Sequence, residues 1–275
     1  MSMTLFEPYL RRWNLQPDGT VLVTPASHLL PVRTAEGEAG MLKLADNEEE
    51  RYGGLVMSWW GGEGAARVLA HEPGVVLMER ALSGATLRPL ALDGRDDEAS
   101  RIACAVAARL HAPRAAPRPA GMLDLGDWFR ASLAPAAARE GGLLAEGWAL
   151  VQRLLAEPQG EPVLLHGDLH HDNVLDFGPG RGWLAIDPKR VIGERSYDFA
   201  NLLCNPELPT SSDPARFQRQ SAVIAQAAGL EPARLLQWTC AHACLSAAWF
   251  LEDEERDEAE GELAVAALAR QALGA

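Results

Sequence analysis

Apolar positions change their period several times along the chain, and each change marks an element. Over residues 5–13 they recur at helical spacing and stop at Pro17-Asp18-Gly19, which predicts a short first helix. Three short apolar runs follow: Thr20-Val21-Leu22-Val23-Thr24-Pro25, Leu29-Leu30-Pro31-Val32-Arg33 and Gly40-Met41-Leu42-Lys43-Leu44. Turn residues bound them, with Glu36-Gly37-Glu38 before the third, so they predict a small antiparallel sheet. A helix is expected from Asn47-Glu48-Glu49-Glu50 through Trp59-Trp60. Its acidic first turn suits the positive helix end and Gly61-Gly62 suits its exit. Residues 75–81 read as a further strand. Beyond them the period is helical over residues 97–111, 125–138, 143–156, 214–228, 232–251 and 257–273, and residues 113–119 read as a Pro- and Arg-rich loop.

One stretch breaks the helical half. Leu164-Leu165 leads into the polar loop His166-Gly167-Asp168-Leu169-His170-His171-Asp172-Asn173, and Trp183-Leu184-Ala185-Ile186 delivers Asp187. With Gly178-Pro179-Gly180 between them, the two apolar runs predict strands joined by a hairpin-like connection. Such a hairpin brings Asp168, Asn173 and Asp187 together. Asp168 can accept a proton from a hydroxyl, while the Asn173 amide oxygen and the Asp187 carboxylate are hard ligands suited to magnesium. Phosphoryl transfer needs this set.

The pattern His166-x-Asp168-x-x-x-x-Asn173 resembles the catalytic loop of protein kinases, with Gly167 where those have Arg. His-Gly-Asp-Leu-His-x-x-Asn followed by Ile186-Asp187-Pro188 resembles the aminoglycoside phosphotransferase family more closely. With Lys189 and Tyr197-Asp198-Phe199-Ala200-Asn201 added, the run is similar to the streptomycin 6-phosphotransferase and hydroxyurea-kinase branch of that family. The resemblance implies an α+β, protein-kinase-like, two-lobed fold, with a small antiparallel-sheet lobe over residues 1–80 and a mainly helical lobe over residues 81–275. It implies ATP-dependent phosphorylation of a hydroxyl on a small molecule such as streptomycin, with ATP and Mg2+ in the cleft.

Roles follow residue by residue from the resemblance. Asp168 orients or deprotonates the acceptor hydroxyl. An aspartate at its ordinary pKa near about 4 is a weak base at neutral pH, so orientation is the larger part. Asn173 and Asp187 hold magnesium. Lys43 holds the ATP phosphates, although a solvated Lys on a sheet face is the plainer alternative. Glu50, with Glu49 in reserve, pairs with Lys43, unless these acids only complement the helix dipole. Adenine meets the backbone from Glu79 to Ala81, with Met78 behind it. The protein-kinase G-x-G-x-x-G signature is absent, and Ser27 is a weak candidate for a phosphate contact. His166 supports the loop from beneath, and Asp198 braces it or simply caps a helix. Residues 188–194, lacking Ser, Thr and Tyr, take the place of a shortened activation segment.

Length and composition narrow the partners. The 275 residues suffice for one large domain or two lobes. No segment approaches a membrane span and no signal peptide is visible, so a cytoplasmic protein without a membrane partner is expected. Cys104, Cys204, Cys240 and Cys244 form no disulfide framework, which suits a reducing compartment. Cys240, His242 and Cys244 read as core. A net charge of −13 argues against nucleic acid and favours a cationic small molecule. Residues 252–262 hold eight acids in eleven positions. They read as a solvated helix terminus, or, through the resemblance, as a substrate patch with Glu252, Asp253 and Glu255 as candidates.

Other readings stand beside this one. A small-molecule kinase could act on a non-antibiotic alcohol, and a nucleotide-binding protein could have little catalysis. A metallohydrolase could ligate zinc through His166, Asp168, His170, His171 and Asp172, but it leaves Asn173, Asp187 and Lys43 without roles.

Overall fold

The structure, a computed structural model, describes residues 3–45 and 50–274. Helix α1 (Glu7–Arg12) opens on Pro8, whose fixed φ suits a first turn. Then come β1 (Gln16–Pro17), β2 (Leu22–Val23), β3 (Ser27–Arg33) and β4 (Ala39–Ala45). A 3-10 turn (Glu50–Tyr52) leads into α2 (Gly53–Trp60), followed by β5 (Val68–Glu72) and β6 (Val75–Glu79). The helix expected to start at Asn47 thus begins at Gly53 as an α-helix. Its predicted acidic start, including Glu48 and Glu49, lies outside the described residues, as does the Glu50 side chain.

The sheet runs β1-β3-β4-β6-β5 with β2 on β3, all antiparallel. The predicted strand at residues 20–25 shrinks to Leu22–Val23, and β5 carries too little alternation to have been foreseen. Two-residue alternation separates the faces of β4 and β6. Leu30, Val32, Leu42, Val75 and Leu77 pack beneath Phe6 and α1 on the outer face. Val76 and Met78 turn inward to Val56, Met57 and Trp60 of α2. Lys43 lies on that inner side of the register, between Leu29 and Val76, and is buried.

The remainder is mainly helical: α3 (Arg88–Leu92), α4 (Asp96–Leu110), α5 (Leu125–Glu140), α6 (Gly142–Ala156), α7 (Ala200–Cys204), α8 (Pro214–Ala228), α9 (Pro232–Glu252) and α10 (Arg256–Ala272). Helix α9 is the core of this half and packs against α5, α6, α7 and α10. Two buried ion pairs, one joining α8 to α4 and one holding α9 to the segment before α7, are fully hydrogen-bonded on the carboxylate side. Arg216 holds Asp96 through bonds of 2.8 and 3.1 Å. Arg234 holds Glu194 at 2.5 and 2.8 Å, and Glu194 also accepts from Trp238 Nε1. Glu262, counted above among solvated acids, is buried on the inner face of α10 with Ala259, Val265, Ala266 and Ala269.

Short strands interrupt the helices where the polar loop falls: β7 (Leu123–Asp124), β8 (Val163–Leu164), β9 (Val174–Asp176), β10 (Trp183–Ala185) and β11 (Val191–Gly193). The expected hairpin is corrected here. β10 pairs with β9, the strand after the polar loop, while the lead-in strand β8 pairs with β11 in a second small sheet. Part of the expected activation-like segment is therefore sheet.

Candidate active site

The polar loop begins where β8 ends, and its backbone is held from below by one carboxylate. Asp198 lies in a 3-10 turn (Arg195–Phe199) ahead of α7 rather than at a helix start. Its oxygens accept from the backbone N–H of His166 and of Gly167, each at 2.8 Å, and from His111 Nε2 at 2.7 Å. Burial works against its charge. The hydrogen bond and charge of His111 and the Gly167 N–H outweigh burial and hold the carboxyl below its ordinary value. Gly167 has φ +77 and a Cβ there would meet Lys189 Cβ at 3.0 Å, so the turn requires glycine.

His166 joins the two halves of the site. It is fully buried, which pushes its pKa down and keeps the ring neutral. Its Nε2–H donates to Ile186 O at 2.8 Å, and its Nδ1 accepts from Asp168 N–H at 3.3 Å. One ring thus fixes Asp168 relative to the residue before Asp187. The segment also closes through Ile186 N–H to Asn173 O and Lys189 N–H to His166 O, at 2.9 and 2.7 Å.

Asp168 has both carboxylate oxygens engaged by amides. Asn201 Nδ2 donates to Oδ1 at 3.0 Å, and Asn173 Nδ2 donates to Oδ2 at 3.4 Å and to the Asp168 carbonyl at 2.9 Å. With its nitrogen so used, Asn173 keeps its amide oxygen on the opposite edge of the group. Asp187 adopts φ 63, a left-handed conformation an aspartate tolerates better than most residues. It pairs with Lys43 across 144 residues of sequence. An amide oxygen and a carboxylate beside a buried lysine form a donor set that fits a hard divalent cation and phosphate oxygens.

A cavity of about 400 Å³ opens beside Asp168, lined also by Gly167, Lys189, Asn201 and His242. Trp128, Ser246, Trp249, Glu252 and Asp253 form its other wall. Glu252 accepts from Ser132 Oγ at 3.3 Å. The Trp128 Nε1–H donates to the Tyr197 hydroxyl at 2.9 Å, and the same hydroxyl meets His242 Nδ1 at 3.2 Å. Burial pushes His242 down to about 4, so its ring is neutral at this wall. Glu255 is not among the residues lining the cavity; it stands at the N-cap of α10.

The remaining candidates are spread. Glu79 ends β6, where its carboxylate accepts from Arg67 N–H at 2.7 Å and pairs with Arg181 at 2.7 Å; Ala81 lies just beyond that strand. Ser27 is buried at the start of β3 with its hydroxyl 2.9 Å from Thr24 Oγ1. The residues of the zinc reading have diverging partners: His166 binds Ile186, and Asp172 faces Thr86 at 3.1 Å and Arg88 at 3.3 Å. Among the described residues no group of three or more His, Cys, Asp or Glu side chains is arranged to hold a metal ion.

Sequence reasoning overlooked His111, Asn201, His242, Ser246 and the two tryptophans. Asn201 had stood in the run Tyr197-Asp198-Phe199-Ala200-Asn201 without a role of its own, and His242 and Trp249 share one helical face of α9.

The model of a family described as aminoglycoside/hydroxyurea antibiotic resistance kinase matches residues 12–254. A streptomycin 3''-kinase of Klebsiella pneumoniae is 46% identical over 271 residues, covering 96% of this chain and 100% of that protein. A streptomycin 6-kinase of Streptomyces griseus is 34% identical, covering 93% and 85%. Among solved structures, an amicoumacin kinase in complex with AMP-PNP, Ca2+ and its antibiotic superposes with a TM-score of 0.69 at 14% identity, covering 96% of this chain and 93% of that one. A choline/ethanolamine kinase family protein of Mesorhizobium loti gives 0.65 at 16%, covering 96% and 95%. The two structures share the sheet lobe and helical lobe described here, a kinase fold.

Proposed function

Because the chain belongs to the aminoglycoside/hydroxyurea antibiotic resistance kinase family, and is a phosphotransferase with a hydroxyl group as acceptor, we propose that it transfers the γ-phosphoryl group of ATP to a hydroxyl of streptomycin. The observation that carries this reading is the cavity that joins Asp168 to Glu252 and Asp253. A carboxylate able to orient a hydroxyl faces a wall able to attract a cation.

Asp168, gripped at both oxygens by Asn201 and Asn173, orients the acceptor hydroxyl toward the γ-phosphorus and takes its proton as the new P–O bond forms and the bond from the γ-phosphorus to the β–γ bridging oxygen breaks, with ADP leaving. Lys43 offers its ammonium to the phosphate oxygens from the floor of the sheet lobe. Asn173 and Asp187 would hold Mg2+, which supplies positive charge against the phosphates when bound. His166 and Asp198 keep the loop rigid, so little reorganisation is needed during transfer. Glu252 and Asp253 attract the guanidinium groups of the acceptor, and Trp128 and Trp249 offer flat faces beside them. The 46% identity to a 3''-kinase, against 34% to a 6-kinase, favours the 3''-hydroxyl, although the motifs resemble the 6-phosphotransferase branch.

The test is magnesium-dependent ADP release from ATP with and without streptomycin. Streptomycin should stimulate release, and Asp168→Ala should lower turnover by about 10²–10⁴-fold while nucleotide still binds. Wild-type turnover in Asp168→Ala would remove Asp168 from this role, and nucleotide binding without stimulation would remove streptomycin as acceptor.

A further inference from the structure

Asn201 stands in α7 with its amide fixed from both sides. Its Nδ2 donates to Asp168 Oδ1 at 3.0 Å. Its Oδ1 accepts from Asn205 Nδ2 at 2.9 Å, and the same Asn205 nitrogen donates to Asn201 O at 3.0 Å. Turning the Asn201 amide over would set its oxygen against the Asp168 carboxylate and its NH2 against the Asn205 NH2. Both contacts are then mismatched, acceptor on acceptor and donor on donor. Asn205 therefore sets the sense of the amide that grips Asp168.

Asn205 is itself anchored. The next residue, Pro206, gives its carbonyl to Arg88 Nη1 at 3.2 Å. The same guanidinium reaches Asp172 at 3.3 Å and pairs with Glu207. Asp172 precedes Asn173, the second amide on Asp168. One arginine thus holds both the segment that orients Asn201 and the turn that carries Asn173. Asn205 is not among the described residues lining the cavity beside Asp168.

We infer that Asn205 is a positioning residue for phosphoryl transfer. Through Asn201 it fixes which lone pairs of Asp168 are occupied, and so which one meets the acceptor hydroxyl. The inference rests on the reading of Asp168 as the group that orients that hydroxyl. A cap on the last turn of α7 is the plainer role for Asn205, and it makes a different prediction: lower thermal stability with kcat unchanged.

The experiment measures kcat, both KM values and Tm for Asn205→Ala and Asn205→Asp, each alone and combined with Asn201→Ala, with Asp168→Ala alongside. All rates are taken below the lowest Tm. Asn205→Ala should lower kcat about 10-fold with the KM for ATP unchanged, because the amide loses its lock. Asn205→Asp should lower it about 100-fold, because a carboxylate draws the Asn201 NH2 to itself and turns the amide oxygen onto Asp168. In the Asn201→Ala background neither substitution should lower kcat by more than about twofold further. Retention of kcat within about twofold in both single variants, or full additivity with Asn201→Ala, overturns the inference. If Asp168→Ala is inactive and the Asn205 variants are unimpaired, the inference alone falls. If Asp168→Ala keeps its turnover, both fall together.

Discussion

Asp198→Asn is an almost isosteric change at a fully buried position, so its effect is readable as hydrogen-bond chemistry. The carboxylate accepts three bonds, from His166 N–H and His111 on Oδ2 and from Gly167 N–H on Oδ1. An amide can satisfy one side only. Its best orientation keeps the oxygen on His166 and His111 and points NH2 at the Gly167 N–H. That leaves two buried donors facing each other unsatisfied, the Gly167 N–H and the new NH2, at about 1 kcal/mol each, and turns two charge-assisted bonds into neutral ones at about 1 kcal/mol more. The sum is about 3 kcal/mol, against a total stability of about 5–15 kcal/mol, so the variant still folds. Differential scanning calorimetry should show Tm lowered by about 6–12 °C for a chain of this size. The displaced donor is one residue from Asp168, so kcat should fall about 10–100-fold as well. The charge contribution is present above the unfolded carboxyl value of 3.8 and is lost as pH falls through the lower folded value. The difference in Tm between wild type and variant should therefore narrow in acid. A variant with wild-type Tm and kcat would refute the brace.

Further outcomes concern other sites. Glu262 is pushed up to about 7 by burial, from 4.5, so it favours the folded state fully below pH 4.5 and loses that contribution as pH rises to about 7. Glu262→Gln should therefore be more stable than wild type at pH 8, by about 3 kcal/mol, with the gain shrinking toward pH 4.5 in urea titrations; a pH-independent difference contradicts this. A Cβ on Gly147 would lie 2.6 Å from Cys244 Sγ where α6 meets α9. Gly147→Ala should lower stability by about 1–3 kcal/mol and recover in Gly147→Ala/Cys244→Ala, as read by chemical denaturation. Glu252→Gln should raise the KM for streptomycin about 10-fold with kcat little changed; an unchanged KM removes the cation subsite.

The long elements were readable because period is a property of many residues at once. Helices α8, α9 and α10 fall within two residues of their expected bounds for this reason. The site was readable through chemistry rather than period. Lys43 and Asp187 are far apart in sequence, yet each stood out as a polar residue delivered by an apolar strand, and they form an ion pair. Strand β8 has two residues and carries no period, so its pairing with β11 instead of the hairpin was beyond reach. Asn201 stood in the run that carried the resemblance but drew no role, since only tertiary folding brings α7 under the polar loop. Glu252, Asp253 and Glu255 were equal in an acidic run, and the end of α9 decides that Glu252 and Asp253 line the cavity while Glu255 does not. Glu262 did carry a signal that composition hid: it falls in helical register with Ala259, Val265, Ala266 and Ala269.

The most direct measurement is identification of the product formed from ATP, Mg2+ and streptomycin. Mass spectrometry should find streptomycin carrying one phosphate, in step with ADP formed, and phosphorus NMR should place that phosphate on the 3''-oxygen. ADP accumulating with streptomycin unmodified would contradict phosphoryl transfer to this acceptor.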